Sequence, residues 1–462
     1  MDNFKYELKA NPIQRGAFNY LVDYLKTLGI EKVSSFLSPP GKEDLQEPTK
    51  LENIDKMINE LRIAFEEDKQ FFLQVDSDAD GITSSAIFYN YFKLLYPDSK
   101  IEWRVHDGKE HGVILDTIPI TADIIIIPDA GSNQTDEQRV LAEQGRKVLI
   151  MDHHHVDEYY EHDNVVIVNN QTSPRYENKH LSGAGVVYKV IQHFSETFHD
   201  GKTHEYFMDL AALGIVSDMM DTRDLDNNYI INHGLSNIKN KMFKSILEKQ
   251  SYSVTSTMNP NKIDIAFYVT PLINAVIRAG SIEENEMLFE GFINPGSTAI
   301  IERVWRGETL TEDYYTNIAR IASNIRGKQN RQKEKAMEFL DERIQERGLD
   351  ENAILIVTTS KDDKITVPKT MTGLVAMELV KKYNKPVLVL RPRTLNGKLH
   401  YYGSGRGNKT GGFNSFRDAL NQSEIVVFAQ GHDMAFGTGV AADKKQDLID
   451  YLNLHYGHID FG

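Results

Sequence analysis

The chain of 462 residues contains no cysteine. That excludes a disulfide framework, thiolate-held zinc, iron–sulfur clusters and a catalytic thiol, and it suits a reducing compartment. No apolar run approaches the roughly 20 residues of a membrane span; the longest candidate, DIIIIP at 123–128, is far too short. The N-terminal MDNFKYELKANPIQR carries charges and no apolar stretch, so no signal peptide is expected and the reading is cytoplasmic, away from membranes. No repeat of solenoid period is present. Excess positive charge is missing too: 52 Lys and Arg against 67 Asp and Glu leave −15. Taken alone, that sum argues against nonspecific polyanion binding, but it hides location. Carboxylates gathered in a metal site would be neutralised there, leaving basic residues to line a local groove.

What is present is a core-forming composition, 40% hydrophobic. Residues 1–54 form a polar lead-in with one short helix, AFNYLVDYLKTLG. From 55 to 310, strand-like runs alternate with helical ones. FFLQV (71–75), IEWRV (101–105), DIIIIP (123–128), KVLIMD (147–152) and NVVIVNN (164–170) are separated by helical segments such as 83–95 and 135–145. This order predicts an α/β, doubly wound, mostly parallel sheet. Ligands of such sheets lie beyond the carboxyl ends of the strands. Residues 235–310 read as mostly helical. Residues 311–347 read as a long, solvated connecting helix with a break near Gly327, and 348–462 as a second, smaller α/β domain containing a glycine-rich loop, GSGRGNKTGG.

Four acidic motifs fall at predicted element ends. Asp76-Ser77-Asp78-Ala79-Asp80-Gly81 follows the first strand. Three acids so close repel one another unless a cation sits among them. A calcium loop needs Glu at its twelfth position, which here is Ile87. Asp129 follows IIIIP; helix capping is the bland role, but Ser132, Asn133 and Thr135 can serve that instead. Asp152-His153-His154-His155 ends another strand, and imidazoles beside carboxylates suit manganese, iron or zinc. Asp218, in GIVSDMMD, follows an apolar helical run where an unpartnered acid is costly. With Asp152 set aside as the orienter of its neighbouring histidine, five carboxylate ligands and two imidazoles exceed one ion's needs and fit a pair of metals acting on a phosphoryl centre.

VDSDADGITSSA, IIIPDAGSN, MDHHH and LGIVSDMMD, in this order, resemble the four motifs of the DHH phosphoesterase superfamily. LSGAGVVYKV, PLINAVIRAG, GSGRG and QGHDMAFGTG narrow the likeness to its RecJ branch, single-strand-specific DNA exonucleases with a C-terminal DHHA1 domain. The resemblance covers roughly residues 55–455. It implies that Asp76, Asp78, Asp80, Asp129, His153 and Asp218 hold two divalent ions, Mn²⁺ by preference or Mg²⁺, with Asp129 bridging. It also implies that His154 acts on the scissile phosphate and that Asp152 orients a histidine. Asn274 and Arg278 would contact phosphates; Ser404, Arg406, Gly431 and His432 would hold the terminal nucleotide. Lys409, Arg391 and Arg393 read as solvated charge.

Departures occur at Gln74, where related enzymes place histidine, at Leu272, and at Ala429-Gln430. No stretch remains for the OB-fold that bacterial RecJ proteins add, as expected of a compact phage or mobile-element version. The implied activity is 5′-to-3′ hydrolysis of single-stranded DNA to mononucleotides, with single-strand-binding protein or a helicase as candidate partners. The alternatives are a small-substrate phosphodiesterase of the superfamily and a non-catalytic DNA-binding scaffold.

Overall fold

The computed structural model describes residues 17–30, 33–38, 40–107, 110–395, 397–408 and 415–459. The start of the lead-in and Lys409 lie outside them. The chain divides into two compact units, the first ending at Ser323. Among the described residues no helix is long and apolar enough to cross a membrane.

The first unit is built on five strands: β1 (Gln70–Val75), β2 (Lys100–Val105), β3 (Ile124–Pro128), β4 (Lys147–Asp152) and β5 (Val165–Asn169). They pair in parallel in the order β2-β1-β3-β4-β5. The continuous apolar runs of β3, β4 and β5 are buried, as both faces of a helix-covered sheet require. Phe72, Ile125, Ile127, Val148 and Ile150 pack with Leu141 and Ala142 of the helix Thr135–Glu143. The chain reverses its winding between β1 and β3, and the crevice beyond their carboxyl ends is the expected ligand position.

A buried ion pair braces this unit. Lys189 Nζ lies 2.9 Å from Asp226 Oδ1, and both side chains are essentially inaccessible. Lys189 also donates to Gln46 O, while Tyr176 and Asn178 donate to Asp226 Oδ2. The lead-in is therefore tied into the rest of the first unit through Gln46.

Three expectations fail here. Residues 300–313 are not helical; they form an antiparallel hairpin of β6 (Ile300–Trp305) and β7 (Glu308–Asp313). The alternating side chains of IIERVW have strand period, and Arg306-Gly307 turn the chain with both φ values positive (51° and 86°), as tight hairpins need. The long helix runs unbroken from Tyr314 to Glu346, through Gly327. A single helical glycine costs only about 1 kcal/mol. Nor is this helix wholly solvated: Ile318, Ala319 and Ala322 are buried on its first half. Ala336, Leu340 and Ile344 join the second unit's core.

The second unit contains a mixed sheet of β8 (Leu355–Thr358), β9 (Val387–Leu395), β10 (Lys398–Arg406), β11 (Val426–His432) and β12 (Ala435–Ala441), in the order β11-β12-β10-β9-β8. Only β8 and β9 run parallel. GSGRG is not a loop: its first four residues, Gly403 to Arg406, are the end of β10, paired on both sides.

Candidate metal centre

Three strand exits converge at the winding reversal. Asp76 follows β1, Asp129 follows β3, and Asp152 ends β4 with His153 and His154 directly behind it. Two helix ends complete the site. Asp78 caps the helix Ala79–Leu95 by accepting from Gly81 N at 2.9 Å. Asp218 caps the C-terminus of the helix Met208–Ser217, where the helix dipole disfavours an anion.

The donor atoms form three overlapping sets: Asp76, Asp78 and Asp129; Asp80, His153 and Asp218; and Asp129, Asp152, His153 and His154. Within each set they lie within 4.8 Å of one another. His153 Nε2 is 3.1 Å from Asp129 Oδ1 and 3.5 Å from Asp218 Oδ2, so Asp129 belongs to both ends of the cluster.

The electrostatics fit a cation. Asp129 is 2% exposed, has left-handed φ (63°), and its Oδ1 faces His153 Nε2 at 3.1 Å without a hydrogen bond among the described residues. Burial, then repulsion from Asp80, Asp78 and Asp76, pushes its carboxyl well above the ordinary range. Burial and neighbouring acids likewise raise Asp78. Burial raises Asp80 although Ser182 Oγ and the N–H groups of Gly183 and Ala184 donate to it. Asp218 is pushed up to about 8, by burial first and then by Asp80 and Asp78. A buried carboxylate cluster with His153 as its shared nitrogen neighbour is costly, and divalent ions remove that cost by supplying the missing charge. Close packing maintains the geometry: a Cβ at Gly183 would collide with Asp129, and one at Gly214 with Asp80.

Asp152 differs from the other acids. Its Oδ1 accepts from His153 N, His154 N and His154 Nδ1, and its Oδ2 from Ser132 N. With both oxygens engaged, its carboxyl is held well below the usual range despite burial. Its Oδ1 fixes the His154 ring through Nδ1. Burial opposes protonation of His154, but the 2.7 Å bond to Asp152 and the surrounding carboxylates outweigh it and lift the ring to about 9. His155 points to solvent.

Two histidines escaped the sequence reading. His111 Nδ1 lies 2.7 Å from Asp76 Oδ2, and its ring centroid is 5.7 Å from that of His154. His106, fully buried, places Nε2 3.5 Å from Asp76 Oδ1. Gln74, the departure noted above, donates to Arg104 O and lies 3.4 Å from His106 Nδ1. The available signal was position: β2 adjoins β1, so its exit, HDGKEHG, opens beside Asp76.

Asn274 and Arg278 stand one turn apart on the helix Thr270–Ala279. Asn274 Oδ1 is buried without a partner among the described residues, and the Arg278 charge acts on Asp78. Ser404, Arg406 and His432 sit in the second unit's sheet and project on one face of it, by their pairing through β12. Gly431 precedes His432 with φ 127°.

Residues 70–215 match the model of the DHH family, N-terminal domain. A candidate single-strand DNA-specific exonuclease derived from the SPbeta prophage of Bacillus subtilis is 36% identical over 432 residues, spanning 94% of this chain and 73% of that protein. The chain is a RecJ-like member of the DHH family. It is accordingly a hydrolytic nuclease. The single-stranded-DNA-specific exonuclease RecJ of Bacillus subtilis is 22% identical, over 89% of this chain and 48% of its own length. A crystal structure of exonuclease RecJ bound to manganese superposes with a TM-score of 0.67 at 17% identity, covering 89% of this chain and 96% of that one, a likeness of fold.

Proposed function

We propose that this RecJ-like protein is a two-metal-dependent 5′-to-3′ exonuclease that hydrolyses single-stranded DNA to mononucleotides. The observation that carries the proposal is the sharing of Asp129 and His153 between donor sets that otherwise differ. One divalent ion, manganese by preference, would be held by Asp76, Asp78 and Asp129, the other by Asp80, His153, Asp218 and the same Asp129. When bound, such a pair lowers the pKa of water and stabilises charge on phosphoryl and leaving oxygens.

The chain's own groups supply the rest. His154, held through Nδ1 by Asp152, pairs with the scissile phosphate and offers the Nε2 proton to the leaving oxygen. Arg278 and Asn274 hold phosphate oxygens beside the cut, by charge-assisted and neutral bonds respectively. Ser404, Arg406, Gly431 and His432 hold the terminal nucleotide. The relatives' names supply the substrate, single-stranded DNA.

The test is one gel: protein with Mn²⁺ and single strands labelled at the 5′ or 3′ end, a duplex, and a dinucleotide. Mononucleotides released from the 5′ end of long single strands are expected. Hydrolysis of the dinucleotide alone would replace this reading with a small-substrate phosphodiesterase.

A further inference from the structure

The hairpin of β6 and β7 has no further strand on either side among the described residues. A two-stranded sheet is marginal by itself, and its open edges are templates for pairing. Such edges are ordinarily blunted by lysine, proline or a bulge. IIERVW and ETLTED contain no lysine and no proline, and their register is unbroken. Instead β6 presents Ile300, Val304 and Trp305 to solvent, 64%, 74% and 57% exposed.

The pairing decides which backbone groups of β6 are free. Trp305 and Glu308 face each other across a two-residue loop with both φ positive, the geometry in which the flanking pair is hydrogen-bonded. At the other end Tyr314 N donates to Ala299 O at 3.0 Å. The odd-numbered residues of β6 therefore bond inward to β7, and Ile300, Glu302 and Val304 turn their N–H and C=O to the outer edge. The side chains of these three share one exposed face. Arg303 and Arg320 are taken up by Glu312, whereas Glu302 and Arg306 form no ion pair among the described residues. Arg306 also holds a left-handed backbone (φ 51°) at a place that favours Asn, Asp or Gly, a strain that points to a use for its charge.

Two copies of an edge strand pair antiparallel about a twofold axis normal to the sheet, so that i meets j and j meets i on one face. A register of β6 centred on Glu302 or on Arg303 sets a charge against itself, and one centred on Trp305 sets Glu302 against the partner's Glu308. Centred on Val304, the pairing sets Val304 against the partner's Val304, Glu302 against the partner's Arg306, and Arg303 against the partner's Trp305. Opposite charges and a cation beside an indole both favour that register. We propose that the outer edge of β6 is a self-association surface, on which a second copy of this chain adds its own β6 about an axis at Val304 and joins two hairpins into one four-stranded sheet. The shared edge is only about five residues long, well under the roughly 800 Å² per partner of a standard interface, so the dimer is weak, with a Kd of roughly 10–500 µM.

The experiment is sedimentation velocity of the full chain at low salt from about 5 µM to about 1 mM, a range that brackets that constant. The parent should pass from monomer to dimer. Glu302→Arg and Arg306→Glu, each alone, should weaken association roughly tenfold, since each makes both symmetric pairs repulsive. An equimolar mixture of the two variants should recover it, because their charges are complementary again across the axis. Val304→Pro removes an outward N–H without touching the bonds to β7 and should abolish association. Both charge variants lie at exposed positions, so the mixture decides even if the proline change disturbs the hairpin. A parent that stays monomeric at every concentration overturns the proposal. So does a dimer that the charge variants form with parental affinity, or a mixture that associates no better than either variant alone.

Discussion

Replacing Asp218 by Asn should change stability in opposite directions with and without metal. In the metal-free protein Asp218 is squeezed by Asp80 and Asp78 at a helix C-terminus, and its carboxyl rises from 3.8 to about 8. A carboxyl with a raised folded pKa holds its proton in the folded state after the unfolded chain has released it. Stability therefore falls as pH climbs from about 4 to about 8, then levels. That rise sets a ceiling of about 5–6 kcal/mol, at about 1.36 kcal/mol for each tenfold change in acidity. The side chain is 31% exposed, so solvent screening and proton sharing with its neighbours bring the expected effect to about 1–2 kcal/mol. Asn carries no charge to repel. In EDTA at pH 8, Asp218→Asn should therefore melt higher than the parent, with a flatter dependence of melting temperature on pH. In Mn²⁺ the order should invert, because the parent gains ligand-binding free energy that the variant loses. Calorimetry at pH 5, 6.5 and 8 reads both arms. A variant less stable than the parent in EDTA at pH 8, with the parental pH slope, would refute the repulsive cluster as the reason for metal binding.

Asp129→Ala should abolish hydrolysis even in excess Mn²⁺, since the shared carboxylate is removed; full activity would sink the two-metal arrangement. His153→Ala should lower bound manganese, whereas His154→Ala should lower turnover with metal content nearly intact, so metal analysis of the two variants separates ligand from phosphate contact. Lys189→Met should destabilise the first unit by about 3–5 kcal/mol, because Asp226 is left charged and buried. Adding Asp226→Leu should restore much of that, and urea unfolding showing less than about 0.5 kcal/mol for the single change would mean the pair is not sealed from water.

The acidic strand exits were legible because each is a local signal. An apolar run fixes a buried parallel strand, and a charged residue at its carboxyl end has only the crevice in which to lie. DSDADG after FFLQV, Asp129 after IIIIP and DHHH after KVLIM needed no long-range information beyond the rule that such ends converge. Local signals also missed what the structure contains. The hairpin at 300–313 has strand alternation, but Arg306-Gly307 is a weaker turn signature than Asn-Gly, and helical neighbours dominated the reading. Glycines in GSGRG suggested a loop, whereas pairing with β9 and β12 makes it a strand.

Other features existed only once distant segments met. His106 and His111 acquire meaning from the adjacency of β2 to β1, a fact of strand order that no window of sequence contains. Arg391 and Arg393 read as solvated charge in the chain. Register alone sets them against Tyr402 and His400, and a one-residue slip of β9 would have turned both arginines to the opposite face. The sequence by itself determined which residues could bind metal, because carboxylates and imidazoles at strand ends are chemically committed to polar work. Tertiary structure decided which acid has both oxygens hydrogen-bonded and which does not. Asp152 and Asp129 are the same residue type at neighbouring strand ends, and only the donors that folding brings to Asp152, and withholds from Asp129 Oδ1, set them apart.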